Sequence, residues 1–179
     1  MLKSLMHAIV GRFQKRYDYD VSYMRALIAA DPAAFLAFSK VQGLGGYAKA
    51  PKAAIIAAKL VATLAEDCGP CTQIVIRMGE EQGVPASVLK AVLTGDEAAM
   101  GADAALAWKF ARASLARDME AADPLREEVV ARWGEKGLAT LALAIASSRV
   151  YPTVKYALGY GKTCSRVQVK GEGVSPLAA

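Results

Sequence analysis

The feature that most restricts the fold of this 179-residue chain is a succession of Ala- and Leu-rich apolar segments punctuated by proline and glycine. The clearest is PKAAIIAAKLVATLAED, residues 51–67. Pro51 suits a helix start, where a missing N–H costs nothing, and alanine has the highest intrinsic helix propensity. The spacing therefore predicts a helix from Pro51 to about Ala65. Asp31-Pro32 predicts another through Val41, with the glycines of GLGG (43–46) breaking it. Ile74 to Gln82 read as helical until Gly83, and Pro85 opens a helix to Leu93 that stops at Thr94-Gly95-Asp96. Ala102–Ala121 is expected as a longer amphipathic helix, and Asp123-Pro124 as the cap of the next, which Gly134 ends. Leu138–Ser148 is expected as a very apolar helix stopping before Tyr151-Pro152. Leu2, Leu5, Met6, Ile9, Val10 and Phe13 recur at helical spacing and make residues 1–20 an amphipathic N-terminal helix. Residues 162–179 read as an irregular tail, because Val167-Gln168-Val169 is too short an alternation to predict a sheet. The expectation is one all-α domain over 1–179, a bundle of about seven to nine helices.

Composition narrows the function classes. A chain of this length buries close to 70% of its unfolded surface and needs no disulfide staples. Its 22 Lys and Arg are dispersed among 17 Asp and Glu, with no basic run, so no nucleic-acid partner is expected. Lys59, Glu66 and Arg149 interrupt the longest apolar stretches before they reach the roughly 18 to 20 residues that span a bilayer, so no membrane partner is expected either. Lys3, Ser4 and His7 break the first apolar stretch and no small-residue cleavage site precedes Arg12, so the start reads as mature protein. Three cysteines, two of them three positions apart, do not resemble a secreted disulfide framework and point to a reducing, cytoplasmic setting. A content of 54% hydrophobic residues, with the N-terminal helix and LATLALAIA, is more apolar surface than a small helical monomer hides, which predicts a homo-oligomer.

The motif that carries chemistry is Cys-Gly-Pro-Cys, residues 68–71. In thioredoxins a CxxC follows a strand within a βαβ pattern. Here it follows an Ala-rich helix, which disfavours that fold. Helical side chains three apart have Cβ atoms about 5 to 6 Å apart, against about 3.5 to 4.5 Å in a disulfide, so a slightly tightened first turn suffices to bond Cys68 to Cys71. Asp67 is the candidate N-cap, with Cys68, Gly69 and Pro70 in the first turn, where free N–H groups and the helix dipole lower a thiol pKa. Glu66 is the nearest candidate proton carrier, the alternative being a solvated acid. Thr72 and Gln73 stand near the sulfurs or satisfy backbone groups. Two other readings of the pair stay open, inert buried cysteines and a zinc site completed by Cys164 and His7 without the usual paired spacing; Cys164 is otherwise a remote third thiol or an ordinary tail cysteine. GLGGYAKAPK lacks the strand and the Gly-Lys-Ser/Thr ending of a phosphate loop. His7, near the N-terminus, is the single histidine and no Ser-His-Asp triad is expected around it, and no acidic cluster suggests a two-metal site. No cofactor and no metal are expected.

An all-α chain of this size, with a CxxC opening one helix after another Ala-rich helix, resembles the carboxymuconolactone decarboxylase superfamily, specifically its AhpD-like branch. The resemblance is firmest over residues 45–115. The AhpD-like motif is roughly Glu-x11-Cys-x2-Cys-x3-His, its Glu and His relaying protons to the cysteines. Cys68 and Cys71 match, whereas Ile56 and Val75 stand where the Glu and His belong. The resemblance implies a thiol–disulfide oxidoreductase without cofactor, a candidate reductant in a peroxidase system. Its partner would be a thiol or disulfide protein or a small-molecule oxidant, and its assembly a dimer, trimer or hexamer. It makes Cys71 the activated thiol, while helix position favours Cys68. A decarboxylase of the same superfamily and a non-redox helical module are the alternatives.

Overall fold

The periodic segments fold as helices throughout the computed structural model, which describes residues 2–161 and 167–177. In order they are α1 (Leu2–Tyr17), α2 (Ser22–Ala30), α3 (Pro32–Ser39), α4 (Val41–Gly46), α5 (Lys52–Leu64), α6 (Gly69–Glu81), α7 (Ala86–Thr94), α8 (Glu97–Met100), α9 (Ala102–Ala116) and α10 (Met119–Ala157). A two-stranded hairpin, β1 (Gln168–Val169) and β2 (Glu172–Gly173), completes the described chain. The class is all-α, with nine helices of six residues or more among the described residues and α8 a single turn.

Helix α5 is the axis. Its small alanines let α9, α10, α6 and α7 close around it, and its Ala54, Ile55, Ile56, Ala57, Ala58, Leu60, Val61, Ala62 and Thr63 are buried. Gly79 of α6 sits where the chain comes closest: a Cβ there would lie 3.0 Å from Leu89 and 3.1 Å from Ile56. A second, smaller core is built by α1–α3 and their connections from Met6, Val10, Tyr17, Tyr19, Val21, Tyr23, Met24, Ile28 and Phe35. Ile74 and Met78 of α6 pack against it. Two apolar cores thus meet along α6, and that junction holds the candidate site.

Several boundaries follow the sequence signals. Asp31 accepts a hydrogen bond from the Ala33 N–H at 2.8 Å with Pro32 opening α3, and Gly95 closes α7 in the left-handed conformation at φ 77°. Others are corrected by tertiary contacts. GLGG is helical in α4, not a break, because that helix lies on α10 and a Cβ at Gly45 would stand only 3.0 Å from Ser147 Oγ. Close packing there outweighs the roughly 1 kcal/mol helix penalty of each glycine. The helix from Ala102 ends at Ala116, where Arg117 turns left-handed, and Asp118 rather than Asp123 caps α10 by accepting from the Ala121 N–H at 3.0 Å. Gly134 (φ 68°) interrupts α10 as expected, but the helix runs past Pro152 to Ala157. Beyond that proline it is anchored by Lys155, buried against the Tyr19 ring, and by Tyr156, whose hydroxyl donates to the Asp67 carbonyl at 2.7 Å. The described part of the tail is irregular only outside the hairpin of residues 168–173. Gln73 clamps Gln168 by two hydrogen bonds, at 3.0 and 2.7 Å, and Val167 and Val169 join the main core. Lys170 and Gly171, both at positive φ, make the tight hairpin turn.

Candidate functional site

The cysteine pair sits at a chain reversal. The Asp67 N–H donates to Leu64 O at 2.9 Å and the Cys68 N–H to Thr63 O at 3.4 Å, closing α5. Asp67 is left-handed at φ 49°, a conformation that aspartate tolerates better than most residues. It is therefore not the N-cap that sequence predicts. That position belongs to Cys68, whose carbonyl accepts the first bond of α6 from the Thr72 N–H at 2.9 Å. Gly69 and Pro70 fill the first turn and Cys71 follows, with Cα atoms of the two cysteines 5.2 Å apart and their sulfurs bonded. The shift by one residue keeps both sulfurs at the positive end of the helix. Thr72 is fully buried, its hydroxyl meeting Cys68 O at 3.1 Å and Thr63 Oγ1 at 3.2 Å, while Gln73 holds the hairpin. Both satisfy backbone or neighbouring hydroxyls rather than the sulfurs.

Cys68 is 2% and Cys71 5% exposed. Cys71 alone of the two lines a pocket of about 510 Å³ between the two cores, open to solvent past the exposed Arg12, Arg16 and Gln42. Phe13, Tyr19, Tyr23 and Tyr151 share that lining and, with Phe38, form a run of edge-to-face aromatic contacts from α1 to α10. The Tyr19 hydroxyl lies 3.8 Å from Cys71 Sγ, and burial pushes its pKa up to about 12. It therefore stays protonated and is a hydrogen-bond donor to sulfur at any physiological pH. Lys155, 1% exposed, places its ammonium 5.5 Å from the centre of the Tyr19 ring; burial lowers its pKa, and Asp20 partly opposes this.

Two further polar groups face the cavity. Tyr23 is fully buried, and burial raises its pKa far above the usual tyrosine value. The nearby Tyr19 hydroxyl contributes to that shift without offering hydrogen-bond geometry, and Tyr23 Oη has no partner. Lys59, half-buried, donates from Nζ to Gly45 O at 2.8 Å, and burial lowers its pKa with no carboxylate offsetting it.

Of the residues singled out in sequence, the structure brings Cys68 and Cys71 together and turns Glu66 elsewhere. The Glu66 carboxylate accepts from Arg149 Nε at 2.5 Å and is not on the cavity wall. Val75 does line the cavity, one turn beyond Cys71. Ile56 is in the main core beside Gly79, two helical turns along α6 from Cys71. His7 stands on α1 with Nδ1 3.5 Å from Arg25, and Cys164 lies outside the described residues. Among the described residues no three His, Cys, Asp or Glu side chains converge as a metal site, and no helix is long and apolar enough to cross a membrane. Sequence reasoning missed Tyr19, Tyr23, Lys59 and Lys155. Its one available signal was the clustering of Tyr17, Tyr19 and Tyr23 in a chain with only 7% aromatics. What fold and site define together is an all-α bundle with a bonded CxxC at a helix start, one sulfur of which borders a pocket between the two cores. No family model matches the chain, and no match is found among curated proteins or among solved structures.

Proposed function

We propose that this chain is an AhpD-like thiol–disulfide oxidoreductase of the carboxymuconolactone decarboxylase superfamily, in which Cys68 and Cys71 cycle between dithiol and disulfide. The observation that carries this reading is a bonded CxxC at the N-terminus of α6 with Cys71 on the cavity wall. The exchanging sulfur is Cys71, which has both the cavity and the Tyr19 hydroxyl beside it. Its thiolate attacks one sulfur of an oxidised partner disulfide, forming a mixed disulfide and releasing one partner thiolate, which takes up a proton. The Cys68 thiolate then attacks Cys71 Sγ, the second partner thiolate leaves, and two electrons have passed from the dithiol to the partner. The Tyr19 O–H stabilises the Cys71 thiolate by hydrogen bonding, in place of the Glu and His that Ile56 and Val75 replace. Turnover of this kind belongs in a reducing cytoplasm, where a thiol partner regenerates the dithiol. The working form is a homo-oligomer.

The test is a disulfide-reduction assay with thiol counting. Wild type should titrate two thiols that a disulfide oxidant removes, and Cys68→Ser and Cys71→Ser should each abolish turnover. Unchanged turnover in either variant would end the dithiol mechanism. A second reading, an inert staple in a non-redox helical module, is favoured by the burial of both sulfurs. It requires that the pair resist reduction by millimolar dithiothreitol in the folded protein.

A further inference from the structure

The cavity beside Cys71 carries features that disulfide exchange does not use. Its wall holds three basic side chains, Arg12, Arg16 and Lys59, and no acidic one. Arg16 is engaged by Glu81, at 2.8 Å, but Lys59 meets only the neutral Gly45 carbonyl. Desolvation of an ammonium without a counter-charge is unfavourable, and an anion in the cavity would relieve it. Gly45 lets the α4 backbone approach Lys59 closely, because a Cβ there would stand 3.0 Å from Ser147 Oγ and 3.7 Å from Lys59 Nζ. Independently, Tyr23, a residue of the same wall, has its Oη fully buried with no hydrogen-bond partner. A phenylalanine would pack there equally well and avoid the cost of an unpaired hydroxyl. Met24, Ile74 and Met78 make much of the remaining lining apolar.

From these observations we infer that the cavity is a binding site for a small organic carboxylate with an apolar body, its oxygens recognised by Lys59 and Tyr23 and its hydrocarbon part held by the methionine and aromatic walls. A mostly apolar cleft with a few polar groups that fix orientation is the usual form of a small-molecule site. A protonated Tyr23 and a charged Lys59 both donate, and a carboxylate accepts from both without needing a proton of its own. The site does not depend on sulfur chemistry, since neither recognition residue touches Cys71 through any hydrogen bond of the described residues.

Isothermal titration of the full chain with octanoate, octan-1-ol and octylamine tests this. Octanoate should bind at least about tenfold more tightly than octan-1-ol, and octylamine more weakly than both. Lys59→Met and Tyr23→Phe should each weaken octanoate by roughly tenfold while leaving octan-1-ol unchanged. Tyr23→Phe should melt no lower than wild type without ligand, since it loses no hydrogen bond. That variant decides the matter alone should Lys59→Met not fold. The double variant Cys68→Ser/Cys71→Ser should keep octanoate affinity, so loss of the redox reading would leave this one standing. Equal affinity for octanoate and octan-1-ol, absence of octanoate binding, or unaltered octanoate affinity in Tyr23→Phe would overturn the assignment.

Discussion

Tyr19→Phe removes a single oxygen, 3.8 Å from Cys71 Sγ, and leaves the aromatic packing in place. A donor to a thiolate holds the thiol pKa down, so its loss should move the pH–rate profile of disulfide exchange to higher pH. The rate at pH 7 should fall about tenfold, within the range of a charge-assisted hydrogen bond. A profile unchanged from wild type would remove Tyr19 from the mechanism. The buried lysines make a separate, pH-dependent statement. Burial holds Lys59 and Lys155 below the ordinary 10.5 in the folded chain, while the unfolded chain recovers that value. Between the two values the unfolded state binds more protons, so stability should rise with pH through the window that ends near 10.5. Urea midpoints from pH 7 to about 9, below the range in which the raised pKa values of Tyr17, Tyr19, Tyr23 and Tyr151 oppose it, should show this rise, and Lys155→Met should flatten it.

The α5–α6 reversal concentrates the constraints between elements. Asp67 is exposed and left-handed, and a β-branched residue is a steric outlier there. Asp67→Val should cost about 1 kcal/mol, a fall in melting temperature of about 2 to 4 °C in a domain of this size. The disulfide beside it spans a sequence separation of only 3, so closing it restricts the unfolded chain little, below the roughly 3 kcal/mol expected of a 15-residue loop. Oxidised and reduced forms should therefore melt within about 10 °C of each other; a wider gap would make the bond a structural staple. Helix faces also separate Ile56 and Val75, the two positions that the AhpD-like reading proposed above would assign to a proton relay. Val75 is on the cavity wall, so Val75→His should raise exchange near neutral pH. Ile56 is in the core, so Ile56→Glu should lose about 3 kcal/mol of stability and assist nothing.

Over the molecule as a whole, α1 stands out as apolar on two sides. Met6 and Val10 are buried, and Arg16 and Tyr17 tie the end of the helix to Glu81 of α6 at 2.8 and 3.0 Å. Leu2, Leu5 and Ile9, at 55%, 59% and 53% exposure, form a second stripe that no element of the described residues covers. A second copy is the occupant the homo-oligomer reading supplies. Light scattering at micromolar concentration should return a multiple of 18.9 kDa, and Leu5→Glu/Ile9→Glu should return the monomer. A wild-type mass of 18.9 kDa would discard it.

Local chemistry made part of this molecule legible along the chain. Helical periodicity, the Asp31-Pro32 start, the Gly95 stop and the placement of Cys68 and Cys71 at the opening of a helix all depend on residues within a turn or two of one another. Pro152 and the GLGG glycines misled for the same reason: their local propensities are unfavourable to helix, and what overrides them is contact with Tyr19, Asp67 and Ser147, remote in sequence. The surroundings of the sulfurs were settled by tertiary packing alone. Tyr19 reaches Cys71 across 52 residues, and the cavity exists because a core built near the N-terminus meets a second core along α6. Neither the period of a helix nor the identity of its caps specifies which side chains from another helix will face it, because that choice is made by the packing of whole elements.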